Sequence, residues 1–116
     1  MKVNLVFVPP GGGDAEYSLQ FELPSVPQPG SYISITRPDQ QVGTEDFIVR
    51  RNLWYLEHPT TEAYEETTTR QTGAMKELGV QCEFARGPYS SDEHRRTCDA
   101  FEQGGREVQD FDASAF

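Results

Sequence analysis

The fold of this chain depends most on the stretch DFIVRRNLWYL, residues 46–56, in which β-branched and aromatic side chains predominate. That composition is typical of a β-strand. Residues 50–52 are basic or polar and interrupt both faces of the strand, which predicts a bulge or a sharp bend, a common device where a small sheet curls toward closure. The alternation places on one face Phe47, Val49, Leu53 and Tyr55, and on the other Ile48, Trp54 and Leu56.

Other strands are predicted on both sides of this stretch. The strongest alternation lies in residues 16–23, where every second side chain is apolar, as in a half-buried antiparallel strand. Shorter runs predict strands at residues 3–8, 31–36 and 80–84. The glycine-rich segment 9–14 is predicted to be only a turn, because it lacks the lysine and the spaced glycine that phosphate-binding loops need.

Two helices are predicted after residue 56. Residues 57–72, EHPTTEAYEETTTRQT, form an exposed polar excursion that ends in a short helix at 72–78, with Gly79 as its stop. A helix of about three turns begins at Ser90, because Ser90 and Glu93 fit a capping box, and it ends at a Gly-Gly pair.

Two segments carry a resemblance to a known architecture. FELPSVPQPGSYISI, residues 21–35, and the opening stretch DFIVRRNLWYL resemble the strands and the proline-rich link of SH3-like small β-barrels. The resemblance implies an α+β, mainly β fold: a partly open antiparallel barrel of about five strands with a short inserted helix and a C-terminal helix. Such barrels recur as adaptors and as small phage or mobile-element proteins, so an interaction module is implied. The acidic, aromatic-rich first loop of eukaryotic SH3 domains and their Trp-Trp pair are missing, so a proline-peptide groove is not implied.

Size and cysteine content predict a single cytoplasmic domain. A chain of 116 residues can bury a core without disulfides or a structural metal. The expected boundaries are 1–106 for the domain, with the excursion at 57–72, and 107–116 for an acidic, aromatic tail that is either flexible or pairs with a sheet edge. The apolar run at residues 3–8 is too short for a signal peptide or a membrane span, so reduced thiols are expected.

The charge is acidic and unevenly distributed. The net charge is −9: residues 1–56 carry four Lys or Arg against six Asp or Glu, and residues 57–116 carry six against thirteen. A surface of this sign repels phosphate, which argues against direct binding to nucleic acid or anionic membranes and favours a protein partner with a basic surface. The alternative is that the acids only keep the protein soluble.

Chemistry at the cysteines and histidines is a weaker alternative. His94 and Cys98 lie four residues apart on one helix face, and with Cys82 and His58 they could supply two Cys and two His to a metal. A Cys82–Cys98 disulfide is a further alternative. The preferred interpretation is that Cys98 packs the helix, with His94 at the rim of the contact, so no cofactor and no catalytic residue are predicted.

The sequence therefore predicts a non-enzymatic inhibitor or adaptor that engages the basic, nucleic-acid-binding surface of a larger protein, like phage anti-defence proteins and DNA mimics. Exposed aromatics among acids are the predicted contacts. The alternatives are an assembly protein of a phage or mobile-element particle, self-associating through the edge at residues 3–8 and the tail, and a metal- or thiol-dependent protein. The predicted partner-binding residues are Glu62, Tyr64, Glu65, Glu66, Tyr89, Asp92, Glu93, Asp99, Glu102, Asp110, Phe111 and Asp112.

Overall fold

The computed structural model describes residues 1–37, 43–59 and 71–112. These residues form six strands and one helix, so the chain is mainly β with one α-helix. No helix in these ranges is both long and apolar enough to cross a bilayer. The elements are β1 Lys2–Val8, β2 Tyr17–Glu22, β3 Tyr32–Arg37, β4 Gly43–Glu57, β5 Ala74–Arg86, α1 Asp92–Gln103 and β6 Gln109–Asp110.

The strands form one curled, open sheet in the order β2-β1-β5-β4-β3, with β6 paired to the end of β5. The β1–β2, β3–β4 and β4–β5 pairs are antiparallel. The β1–β5 and β5–β6 pairs are parallel, which departs from the expected antiparallel barrel. Strand β1 lies between β2 and β5, and residues 3–8 are therefore not the free edge that self-association through them would need.

The core lies on the concave face of the sheet. Side chains that alternate along β1, β4 and β5 meet there, and the apolar side of β2 covers them. Phe47 on β4 packs against Phe7 at 4.2 Å and against Phe84 at 5.1 Å between ring centroids. Burying three aromatic side chains in one contact supplies a large share of the hydrophobic stabilisation of a domain this small.

The predicted interruption of β4 is a β-bulge. Val49 pairs with Cys82 and Arg51 pairs with Gln81, so Arg50 is the extra residue. An inserted residue reverses the alternation beyond it. Trp54, which pairs with Leu78, therefore lies on the core side of the sheet, and the prediction that Leu53 and Tyr55 share a face with Phe47 is wrong.

The predicted inserted helix at residues 72–78 is also wrong. Strand β5 begins at Ala74 and continues through Gly79, because the distal half of β4 pairs with it as far as Glu57 and Ala74, with a second register shift between Tyr55 and Leu56. Residues 53–57 and 74–77 form a two-stranded ribbon, called the arm below, whose strands project past the core. Its large apolar side chains are exposed: Leu53 59%, Trp54 51%, Tyr55 55%, Leu56 68% and Met75 42%.

The C-terminal helix is confirmed, with a different cap. Ser91, not Ser90, is the N-cap, since its hydroxyl accepts from the His94 backbone N–H at 3.1 Å. The helix ends at Gln103 before Gly104, as predicted. His94 is only 2% exposed and stacks on Phe84, so it lies inside the helix contact and not at its rim.

Candidate protein-binding surface

An arginine at the end of β5 gathers carboxylates from two distant segments. Arg86 donates from Nη1 to Asp99 Oδ1 at 2.7 Å, from Nη2 to Glu102 Oε2 at 2.7 Å and from Nε to Asp110 Oδ1 at 2.6 Å. The Arg86 side chain is 16% exposed, whereas the three carboxylates are more than half exposed. The arginine therefore lies beneath a layer of acids that faces solvent.

Local structure explains why these groups meet. Asp99 and Glu102 are three residues apart on α1, a spacing that places both on one helix face. Asp110 pairs directly with Arg86 in the parallel β5–β6 register. The hydrogen bonds that Arg86 donates to Glu102 and then to Asp110 raise the pKa of Arg86 further above its ordinary value, so the guanidinium stays charged at every accessible pH.

Two more predicted residues lie in the first turn of the same helix. Asp92 and Glu93 are exposed, and Glu93 accepts from Arg96 at 2.9 Å. Residues 86–103 and 109–112 carry six carboxylates against three arginines, a net charge of −3. We call the six carboxylates the acidic surface: Asp92, Glu93, Asp99, Glu102, Asp110 and Asp112.

The predicted aromatic contacts behave differently from one another. Tyr89 is 61% exposed in the turn before α1. Phe111 is half-buried, stacked on Tyr32 at 4.1 Å between centroids, and its backbone N–H donates to Arg86 O at 2.9 Å. The segment after β6 is thus packed on the sheet as far as Phe111, and residues 109–110 of the expected tail pair with the end of β5, an interior strand of the sheet. The other predicted contacts lie outside the described residues: Glu62, Tyr64, Glu65 and Glu66.

The sequence prediction missed a buried carboxylate beside this surface. Asp46 is 0% exposed and accepts hydrogen bonds from the hydroxyls of Ser34 and Ser90. Ser90 in turn accepts from the Gly87 backbone N–H at 2.9 Å, which ties the turn before α1 to β4. The signal was present in the sequence, because an acid opens the apolar run DFIV and an acid in such a run must be paired when buried.

Asp46, Ser90 and His94 are close together but are not connected as a catalytic triad. His94 Nε2 contacts Ala85 O at 2.8 Å and the Asp46 backbone N at 3.2 Å, not the Asp46 carboxylate. Its Nδ1 is buried with no hydrogen-bond partner among the described residues. The Asp46 backbone N–H donates to Nε2, so the ring is held by backbone groups and not by the Asp46 carboxylate. A triad instead needs the serine bonded to histidine and the histidine to carboxylate.

The cysteines have the properties of core residues. Cys82 and Cys98 are free, buried thiols, so the disulfide alternative is not formed. Burial raises the pKa of each thiol to about 12, which keeps both protonated at neutral pH. Cys98 Sγ lies 3.6 Å from His94 Nε2. In residues 1–37, 43–59 and 71–112 no three or more His, Cys, Asp or Glu side chains are grouped so as to hold a metal ion, and His58 lies at the far end of the arm.

No protein-family model matches the chain, and no curated protein or solved structure is significantly similar to it.

Proposed function

We propose that this protein is a non-enzymatic binding module, an inhibitor or adaptor whose acidic surface occupies the basic, nucleic-acid-binding surface of a larger protein, in the manner of phage anti-defence proteins and DNA mimics. One observation carries the proposal: Arg86 holds Asp99, Glu102 and Asp110 together although they come from two separate segments. Asp99, Glu102 and Asp110 are thus parts of one surface, which supports a role for them beyond solubility.

Electrostatics supports this kind of partner. The acidic surface keeps a net charge of −3 after its own arginines are counted, within a chain of net charge −9. Negative charge held on a rigid helix and strand attracts a basic groove over a distance of about 10 Å at moderate salt, and raises the association rate most at low salt. Carboxylates already oriented by Arg86 lose less side-chain entropy on binding than free ones would.

The chemistry of the surroundings favours binding over catalysis. The Cys98 thiol beside the acidic surface is protonated at neutral pH, and the nearby Asp46 carboxylate is buried and accepts hydrogen bonds from two serine hydroxyls. A nucleophile needs an exposed, activated group, and a general base needs access to substrate. The exposed groups near α1 include carboxylates and Tyr89, which suit an interface, together with Arg96.

The proposal is tested by charge neutralisation in matched pairs. The surface variant is Asp92→Asn, Glu93→Gln and Glu102→Gln. The control variant is Asp14→Asn, Glu16→Gln and Glu22→Gln, which removes the same charge from exposed acids outside the acidic surface. Each tagged protein is used to capture partners from host extract at 50 mM and 500 mM NaCl, and each captured protein is then purified and its binding measured directly.

The expected partner is a nucleic-acid-binding protein that the wild type and the control bind equally well and the surface variant binds at least tenfold more weakly. Binding should weaken with salt, and a DNA duplex should compete with it. Equal binding by all three proteins, or affinity unchanged between the two salt concentrations, would refute the proposal.

A second candidate is an assembly protein of a phage or mobile-element particle. The observation that favours it is the arm, which exposes Leu53 and Tyr55 on one face and Trp54 on the other, apart from the acidic surface. Such a protein would bind its partner through apolar contacts, and its association would survive 500 mM NaCl. The capture experiment separates the two candidates by salt dependence.

A further inference from the structure

The convex side of the sheet carries a groove at the base of the arm. Its volume is about 460 Å³, and its floor is formed by Val6 and Val8 of β1 and by Gly79 of β5. Leu53, which is 59% exposed, stands beside it. At Gly79 an added Cβ would have Leu53 as its nearest neighbour at 4.0 Å, so the glycine leaves the space next to this leucine open.

We infer that this groove and the adjoining face of the arm bind a second copy of the same chain, in a two-fold dimer whose arms run antiparallel. The face presents three successive rows of paired residues, Arg51 with Gln81, Leu53 with Gly79, and Tyr55 with Glu77. Rows on one face of a strand are about 7 Å apart. A two-fold axis through the central row brings the two Leu53 side chains together beside the two glycines.

The charges on this face are self-complementary under that symmetry. The first row of one copy lies over the third row of the other, so that each Arg51 meets Tyr55 and Glu77 of the second copy. Arg51 is exposed and makes no ion pair with any described residue. Glu77 accepts one hydrogen bond, from Asn4 Nδ2 at 3.2 Å. An isologous interface needs this reciprocity, in which one residue contacts a second and the second contacts the first.

The area is enough for a weak dimer. Leu53 is 59% exposed and Tyr55 55%, and Arg51 is exposed as well. With the smaller groove residues, complete burial of this face would remove on the order of 500 Å² from each copy. Two copies together bury about 1,000 Å², the lower limit for a specific interface. A dimer of this size dissociates in the micromolar range and weakens with salt because two of its contacts are charged. This surface is separate from the acidic surface, so the inference does not depend on the proposed function.

The test is the oligomeric state of the full chain by sedimentation equilibrium from 5 to 500 µM in 50 mM NaCl. The wild type is expected to dimerise, and Arg51→Glu and Glu77→Arg are each expected to weaken dimerisation at least tenfold. The double variant, in which the pair is reversed, should restore it to within about threefold. Arg96→Glu, the same charge reversal on α1, should leave it unchanged. A wild type that is monomeric throughout, or a double variant as weak as the singles, overturns the inference.

A second measurement does not depend on charge. The native thiols are buried and protonated, so a new surface cysteine is the reactive one. Leu53→Cys should form a disulfide-linked dimer on mild oxidation, because the two copies of this residue meet at the axis. Trp54→Cys, one residue along and on the opposite face, should remain monomeric. Cross-linking of Trp54→Cys in preference to Leu53→Cys would place the contact on the wrong face and overturn the inference.

Discussion

Replacing Arg86 with glutamine should destabilise the fold and disperse the acidic surface. In the native protein the guanidinium has three carboxylate partners, at 2.6 to 2.7 Å. Glutamine removes the positive charge and leaves Asp99, Glu102 and Asp110 facing one another with no cation between them. The variant therefore loses three ion pairs, and the mutual repulsion of the three carboxylates is no longer offset.

The size of the destabilisation follows from the exposure of the three carboxylates. Because the carboxylates are 53%, 52% and 66% exposed, each pair contributes at the surface scale, up to about 1 kcal/mol, despite the low exposure of the arginine. Three pairs on one cation give about 2 kcal/mol at low salt, equivalent to about 8 °C in Tm for a chain of this length. At 1 M salt the Debye length falls to about 3 Å, and the loss should shrink to about 1 kcal/mol or less.

The assay is urea unfolding of wild type and variant at 20 mM and 1 M NaCl, followed by circular dichroism. Arg96→Gln is the matched control, since Arg96 has a single exposed partner, Glu93, and its loss should change stability little at either salt. Arg86→Lys should fall between wild type and Arg86→Gln, because one ammonium cannot reach three carboxylates as the guanidinium does. If Arg86→Gln were as stable as wild type at low salt, or lost the same free energy at both salt concentrations, the ionic explanation would be incorrect.

Three further predictions concern buried groups. Ser90→Ala should cost about 2 to 4 kcal/mol in urea unfolding, because the buried Asp46 carboxylate loses a donor, whereas a cost below about 0.5 kcal/mol would contradict that hydrogen bond. Since burial raises the pKa of Cys82 and Cys98 from about 9 to about 12, stability present below pH 9 is lost as pH rises toward 12. At pH 10.5 each thiol should cost about 2 kcal/mol, a loss absent from the Cys82→Ala, Cys98→Ala variant. Phe47→Ala should cost about 4 kcal/mol by the same assay, and a smaller loss would mean that the site collapses around the cavity.

Much of the secondary structure was predictable because its signals are local. Alternation in residues 17–22 and 46–49, and the glycines that end α1, depend only on neighbours in the chain. The bulge was predictable for the same reason, since Arg50 and Arg51 break the alternation within one segment. The faces occupied by the residues beyond the bulge were not predictable, because they depend on the register in which the distal half of β4 pairs with β5.

The incorrect structural predictions all involve residues whose partners are distant in the sequence. Residues 74–78 read as a helix in isolation, but the distal half of β4 supplies them with a strand to pair with, and tertiary pairing overrides local propensity. The parallel contact of β1 with β5 joins segments more than 70 residues apart, and no local pattern reports it. Ser90 fits a cap by spacing, yet a buried carboxylate on β4 uses its hydroxyl and leaves the cap to Ser91.

In the candidate site too, some features follow from the sequence and others only from the tertiary structure. The sequence alone determined that this protein is acidic, mainly in its C-terminal half, and that aromatic residues lie among the acids. Only the tertiary structure decided that Arg86 joins α1 to β6, that Phe111 packs against Tyr32, and that the aromatics of the arm stand in solvent. Charge content and periodicity are properties of the chain. The contact between distant charges and the exposure of the apolar arm depend instead on strand order and register, which are set only when the whole sheet forms.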